Sequence, residues 1–346
     1  MDQPRVHRLR LAAACAASLA VSSPTLGCAE QRSPKSIIRV ADMGHLVVGG
    51  APISVRGAAT RLRVRATGLL PELVDPNGDF TPGATYVRFI RLEAPRHKLP
   101  ILLFPGGGLS GAVYETTPDG RPGWEPFFLR AGYSVFTADL QQTGRSPWSR
   151  YPEISPEEPA VRDRAFLWET FRIGRPGSYG DGMRPFAGTQ FPVAAFDAFA
   201  KLAAPRFRSP RDVEVATFDA IIQRVCPCIL LSHSASSGPA LAAAERRPDM
   251  VKAVIAVEPS SVPEQPRRSS PALLVWGDFL SRDQTESSWA EEVIASRRFV
   301  QARSAEATFI DLPALDVHGN SHLLMSDLNS DKVAALIDDW IRRCGF

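Results

Sequence analysis

The 346-residue sequence predicts an α/β protein with a mostly parallel central sheet and helices on both faces. Three observations carry this prediction. From residue 99 onward, apolar strand, loop and helix patterns follow one another in repeating order. The predicted strands are short, continuous apolar runs, as expected for strands buried on both faces. The segments before residue 99 instead alternate apolar and polar residues, which is typical of antiparallel strands.

The predicted elements run in a simple order along the chain. Antiparallel lead-in strands come first, in IIRVADMGHLVVGGAPISVRG, which has the glycine pair of a hairpin, and then in RLRVRAT and ATYVRFIRLEA. Six buried strands follow, in LPILLFP, YSVFTADL, CILLSH, VKAVIAVE, PALLVWGD and ATFIDLP. Helices are predicted near residues 123–131, 211–225, 238–247, 288–302 and 331–343.

A long segment, roughly residues 140–210, interrupts the repeating order. It is rich in Pro, Gly, Arg and aromatic residues and has no clean periodicity until PVAAFDAFAKLAA. An insertion at the carboxyl edge of a parallel sheet is where a cap would lie. Its aromatic residues either line a pocket or pack the cap onto the body; they are Trp148, Trp168, Phe171, Phe191 and Phe196.

The amino terminus has the pattern of a targeting segment. Arg5, Arg8 and Arg10 precede the apolar run LAAACAASLAV, and small residues follow. We expect a signal peptide over residues 1–29, so that the mature domain, residues 30–346, is exported to the periplasm or secreted. The run is too short to span a membrane. The segment TLGC gives lipid anchoring at Cys28 as a lesser alternative.

The net charge and the cysteines bear on three features: nucleic-acid binding, disulfides and metal binding. The formal net charge is +3, and about +1 remains once residues 1–29 are removed, so nothing indicates a nucleic-acid partner. Three cysteines remain in the mature chain, and export favours one disulfide, with Cys344 joined to Cys226 or Cys228 as the expected pairing. The C-x-C pair offers too few ligands for a metal site.

The strongest chemical motif is CILLSHSASSGPALAAAERRP. An apolar strand runs directly into Ser234, and a helix of small residues begins at once, which is the pattern of a nucleophile elbow. Ser232 and Ser236 stand where the motif usually carries glycine. The alternative is a serine-rich cap on an ordinary crossover helix. The backbone N–H of Ala235, at the start of this helix, is the natural oxyanion donor.

A glycine-rich loop, PGGGLSGAVYETTPDGRPGW, follows the first of the buried strands. Three consecutive glycines let the backbone approach a ligand closely. We therefore expect the second oxyanion donor at Gly107, with Gly108 as the alternative. No Lys-Ser or Lys-Thr pair follows the glycines, so the loop does not match a phosphate-binding loop.

A serine nucleophile needs a base and an acid. Two histidines, His318 and His322, follow the last predicted strand, and spacing alone does not separate them. Glu258 and Asp278 end two neighbouring strands, and either could orient the imidazole. His233 is adjacent to Ser234 and is interpreted as structural.

Four segments together resemble a known family. The run PGGGLSGAVYETTPDGRPGWEPFFLRAGYSVFTADLQQTGRS, with LLSHSASSG, AVIAVEP and HGNSH, is similar to exported bacterial serine esterases of the α/β-hydrolase superfamily. The resemblance implies the α/β-hydrolase fold and a Ser-Glu-His triad, with Ser234 as nucleophile, Glu258 as acid and His322 as base. It places the oxyanion hole at Gly107 and Ala235. Some relatives carry adjacent cysteines where this chain has Gly107 and Gly108.

The expected function is therefore hydrolysis of a small-molecule carboxylic ester through a serine acyl-enzyme, without a cofactor. The same triad also serves an amidase, a thioesterase or a lactonase, and a non-catalytic binding protein of this fold is a further alternative.

Overall fold

The computed structural model describes residues 37–346, except 65, 150–151, 208–210, 268 and 282–288. The predicted signal peptide, residues 1–29, and the lipid-anchoring alternative at Cys28 lie outside the described residues.

An eight-stranded sheet forms the centre of the fold. Its strands are β1 (Val40–Gly49), β6 (Ala84–Leu92), β7 (Ile101–Phe104), β8 (Val135–Ala138), β9 (Cys228–His233), β10 (Val251–Val257), β11 (Ala272–Trp276) and β12 (Ala307–Asp311). Their order across the sheet is β1-β6-β8-β7-β9-β10-β11-β12. The last six in chain order are parallel, whereas β1 and β6 pair antiparallel at one edge. The six predicted buried strands are all present, and the α/β-hydrolase fold is confirmed.

Two hydrophobic clusters cover the two faces of this sheet. In β7, Ile101 and Leu103 point into one cluster, and Leu102 and Phe104 point into the other. Such alternation follows from the two-residue period of a strand. Because both faces are covered, every residue of β7 must be apolar, which is why the run LPILLFP could be recognised in the sequence.

The lead-in region pairs differently from the predicted hairpin. The strand β1 pairs along its whole length with β6, and β2 (Ile53–Val55) pairs with β5 (Gly78–Phe80). A further ribbon joins β3 (Arg61–Arg63) to β4 (Glu72–Val74). The hairpin prediction is therefore wrong, because the long strand β6 offers β1 more backbone partners than the three residues of β2.

Eight α-helices surround the sheet in the described part of the chain. They are α1 (Ala112–Glu115), α2 (Trp124–Ala131), α3 (Arg164–Thr170), α4 (Phe196–Ala200), α5 (Arg211–Val225), α6 (Ser237–Arg246), α7 (Trp289–Arg303) and α8 (Ser330–Arg343). All five predicted helices are present. Among the described residues, no helix has both the length and the apolar character needed to cross a membrane.

The described residues of the segment between β8 and α5 contribute no strand to the central sheet. It contains the short helices α3 and α4 joined by irregular loops. Four of its five predicted aromatic residues are buried in the hydrophobic cluster on one face of the sheet, whereas Trp148 is exposed. Most of these aromatic residues therefore pack the segment onto the sheet.

The disulfide prediction is wrong in its pairing. Cys226 is joined to Cys228 across a single proline, and Cys344 is free. The two faces of the sheet explain the difference. Cys226 and Cys228 belong to one hydrophobic cluster, whereas Cys344 packs against the cluster on the opposite face, so the sheet separates it from both.

Candidate active site

The turn after β9 presents Ser234 at the carboxyl edge of the sheet. Ser234 has φ of +52°, a left-handed conformation that non-glycine residues rarely adopt. Hydroxyl groups hold the turn from both sides. Ser236 Oγ donates to the carbonyl oxygen of His233, and Ser232 Oγ donates to that of Ile255 on β10. The strained turn is thus tied to its own strand and to the neighbouring one.

Three of the predicted site residues form a continuous chain of contacts. Ser234 Oγ lies 2.9 Å from His322 Nε2, and His322 Nδ1 lies 3.1 Å from Glu258 Oε2. Glu258 follows β10 and His322 lies in the loop between β12 and α8. The parallel strands β9 and β10 are neighbours, so their carboxyl ends bring Ser234 and Glu258 to the same edge.

Glu258 is completely buried and yet remains charged. Burial by itself would raise the pKa of its carboxyl group, but the Arg172 guanidinium and the His322 imidazole outweigh burial and hold that pKa at about 2. Gly277 N–H also donates to Glu258 Oε1, at 2.6 Å. Because the carboxylate can only accept, His322 Nδ1 carries the hydrogen. Nε2 is then left free to accept a proton from Ser234.

The imidazole of His322 is held from several sides. The backbone N–H of His322 donates to the carbonyl oxygen of Phe171, and His233 Nε2 donates to the carbonyl oxygen of His322 at 2.8 Å. The Trp289 ring lies 4.1 Å from the His322 ring, centroid to centroid. Burial lowers the pKa of His322, Glu258 opposes this, and Arg172 lowers it further.

His233 does not contact the Ser234 hydroxyl. Its Nε2 supports the His322 backbone, and burial lowers its pKa to about 3, so the ring is neutral. These contacts agree with a structural role.

The alternative acid and base lie outside the chain of contacts. His318 Nδ1 is 3.8 Å from Asp278 Oδ1, and the His318 side chain is 61% exposed. Asp278 Oδ2 accepts from the backbone N–H of Asn320. Asp278 and His318 therefore face each other, and no contact joins either side chain to Ser234 or His322 among the described residues.

The two predicted oxyanion positions line one small cleft. Gly107 and Ala235 border it together with Arg206 and Phe207 from the segment between β8 and α5. The Arg206 guanidinium lies against Gly107, and a Cβ on that glycine would be 3.0 Å from Arg206 Cζ. A larger pocket adjoins this cleft, and Gln141 and Thr217 line both.

Two side chains that contact Glu258 or His322 were not predicted from the sequence. Arg172 contacts Glu258 through two nitrogens, and Trp289 packs on the His322 ring. Arginine is common in the segment 140–210, so nothing local distinguishes Arg172. A buried carboxylate at Glu258 could have suggested that a cation must meet it, but not which one.

A solved structure of a novel bacterial esterase is similar to this chain over nearly its whole length. The two share 30% sequence identity and a TM-score of 0.77, and the match covers 90% of this chain and 98% of the other. The chain belongs to the family of that bacterial esterase.

This esterase-family chain is also similar to a lipase. The probable secreted lipase phiG of Fungal sp. (strain ATCC 74256) is 24% identical over 326 residues, which are 77% of this chain and 88% of the lipase. No family model matches the chain. These relatives support a hydrolase that acts on esters.

Gly106 is expected to tolerate no side chain. A Cβ there would lie 2.6 Å from His233 Nδ1 and 3.1 Å from Ser234 Cβ. Gly106→Ala should lower the free energy of unfolding by about 1–3 kcal/mol and reduce activity, because the loop must move away from Ser234. Thermal denaturation measures the first effect. Gly180→Ala, at an uncrowded glycine, is the control and should stay within about 0.5 kcal/mol. Equal stability of the two variants would contradict the expected packing.

Proposed function

We propose that this protein is a carboxylic ester hydrolase that acts through a serine acyl-enzyme, with Ser234 as nucleophile, His322 as base and Glu258 as acid. One observation carries the proposal: the 2.9 Å and 3.1 Å contacts join the hydroxyl, imidazole and carboxylate in one line. An ionised Glu258 keeps the hydrogen on Nδ1, so Nε2 has a lone pair for the hydroxyl proton.

The reaction then follows in two halves. Ser234 Oγ attacks the ester carbonyl carbon while His322 Nε2 takes its proton, and the carbonyl oxygen becomes an anion facing Gly107 and Ala235 N–H. His322 returns the proton to the leaving alkoxide, so the alcohol departs and Ser234 is acylated. Water attacks the acyl carbon, giving a proton to His322, and the acid leaves as the proton returns to Ser234. No cofactor is required for these steps.

The larger pocket is proposed to hold the apolar part of the ester. It has a volume of about 580 Å³ and adjoins the cleft at Gly107 and Ala235 through Gln141 and Thr217. Its lining includes Ile53, Ile154 and Val213. Ligand pockets commonly span about 300–1,000 Å³, so a hydrocarbon chain of moderate length fits.

The alternatives have weaker support. An amidase, a thioesterase or a lactonase could use the same three residues, but the two similar proteins named above are called an esterase and a lipase. A non-catalytic binding protein has no need of an activated hydroxyl. Export is also proposed, from the signal-peptide pattern and from the name of the secreted lipase relative.

Labelling with a fluorophosphonate tests the nucleophile. The wild-type protein should gain one phosphonyl group on Ser234, and Ser234→Ala should gain none, because only an activated serine reacts at a useful rate. Intact-mass analysis before and after treatment measures the adduct. Ser260→Ala, in the neighbouring loop after β10, is the matched control and should be labelled like the wild type. An unlabelled wild-type protein would favour the binding-protein alternative.

Paired substitutions test the acid and the base. Glu258→Gln and His322→Asn should each reduce kcat/KM for a p-nitrophenyl ester by about a thousandfold or more, since each breaks the proton path. Asp278→Asn and His318→Asn are the matched controls and should stay within about twofold. A large loss in the control pair with little loss in the first pair would assign the roles to Asp278 and His318.

A chain-length series tests the pocket. The wild-type kcat/KM should rise from the acetate to the octanoate ester, because each buried methylene contributes about 0.8 kcal/mol. Ala216→Phe fills part of the pocket and should lower the octanoate value while leaving the acetate value within about twofold. Ala335→Phe, on an exposed position of α8, is the control. If Ala216→Phe leaves the ratio of the octanoate to the acetate kcat/KM unchanged, the acyl chain of the substrate binds elsewhere.

A further inference from the structure

An arginine is buried beside the proposed acid, which an esterase triad does not itself require. The Arg172 side chain is 0% exposed, as is that of Glu258, and Arg172 Nη1 lies 2.7 Å from Glu258 Oε2. Arg172 follows α3, so it belongs to the segment between β8 and α5 and not to the strands that carry Ser234 and Glu258.

The backbone around this contact is constrained. Seven non-glycine residues in the described part of the chain have positive φ, and three of them, Arg172, Ser234 and Glu258, meet at this site. Left-handed backbone of this kind persists only where the surrounding contacts enforce it. The contacts of the folded chain therefore fix the position of Arg172.

The guanidinium holds both oxygens of the carboxylate. Its Nη2 donates to Glu258 Oε1 at 2.8 Å, and its Nη1 donates to Oε2. The remaining Nε donates to the carbonyl oxygen of Asp278. A planar fork with five N–H groups can make these bonds at once, whereas a lysine ammonium cannot. Arg172 thus sets the plane in which Oε2 faces the imidazole.

The net charge of Arg172, Glu258 and His322 rises from zero to +1 during the reaction. Before the attack, Arg172 and Glu258 neutralise each other and His322 is uncharged. After it, an imidazolium and a guanidinium share one carboxylate. Arg172 Nη1 lies 3.4 Å from His322 Nδ1, and with Nδ1 carrying a hydrogen the two nitrogens are both donors, so the contact is repulsive.

We propose that Arg172 is a positioning residue that orients Glu258 toward His322 and whose fixed positive charge extends the active pH range of the enzyme toward acid. The inference rests on the proposed function, since it concerns the same acid and base. An imidazolium beside a guanidinium is less stable, so His322 stays unprotonated, and able to act as a base, at lower pH.

Of the other ionisable groups in this region, His233 and Asp278 do not supply this effect. His233, with its pKa lowered to about 3 by burial, is neutral. Burial raises the pKa of Asp327 to about 7, against hydrogen bonds from Ser321 and Asn320. Asp278 turns its carboxylate to Asn320 N–H and toward His318. Because the pKa of Asp327 is close to that of an ordinary imidazole, Asp327→Asn serves as a control.

The experiment compares two variants that separate charge from shape. Arg172→Gln keeps a hydrogen-bond donor and removes the charge, and Arg172→Lys keeps the charge and loses the fork. The acidic midpoint of the kcat/KM profile should rise by about one pH unit in Arg172→Gln. In Arg172→Lys the midpoint should stay near the wild-type value, while the plateau of kcat/KM should be lower. Asp327→Asn should leave the wild-type midpoint in place.

Three results would overturn the proposal. The acidic midpoint of the kcat/KM profile could stay unchanged in Arg172→Gln, or it could shift equally in both Arg172 variants. It could also shift in Asp327→Asn, which would assign the titration to Asp327. A purely structural role for Arg172 would lower the plateau without moving the midpoint.

A measurement on the wild type keeps the proposal testable if a variant fails to fold. The rate of fluorophosphonate labelling of Ser234 should fall with an acidic midpoint below the ordinary imidazole value of ~6.5, and a midpoint at or above it would contradict the proposal. Absence of labelling at every pH would instead contradict the proposed function.

Discussion

The buried carboxylate of Glu258 is the group on which the site depends. A negative charge in the interior is costly unless hydrogen bonds and a counter-ion compensate it. Here the compensation comes from three separate parts of the chain: Arg172, Gly277 N–H and His322. The full set of contacts forms only when the segment between β8 and α5, the end of β11 and the loop after β12 are all in place. Assembly of the site is therefore tied to completion of the fold.

The parallel sheet supplies the geometry for this assembly. Because β9, β10 and β11 run side by side in the same direction, the residues that follow them emerge at one edge. The apolar strands beneath that edge are buried on both faces and pack into two hydrophobic clusters. Close packing of this kind leaves little freedom for Ser234 and Glu258, whose positive φ values it helps to maintain.

The segment between β8 and α5 has two roles at once. Its aromatic residues pack it firmly onto the sheet, and it carries Arg172 to the carboxylate and Arg206 to the glycine loop. It also contributes Ile154 to the larger pocket. A change in this segment would thus alter both the shape available to a substrate and the charge around His322, although Ser234 itself lies on a different part of the chain.

The sequence alone determined the elements whose cause is local. The apolar runs of β7 to β12, the strand-to-helix turn at Ser234 and the glycine loop before α1 each follow from the residues within them, because periodicity and turn chemistry act over a few positions. The resemblance to exported esterases singled out Glu258 and His322, which residue spacing left open.

Only the tertiary structure decided the pairings between distant residues. It placed Arg172 against Glu258, 86 positions apart, joined β1 to β6 in place of β2, and put Cys344 on the opposite face of the sheet from Cys226. Each of these outcomes depends on which surfaces meet when the whole chain packs. A window of neighbouring residues does not show which distant residues will contact one another. Several arginines, strands and cysteines of this chain have local sequence patterns that fit equally well.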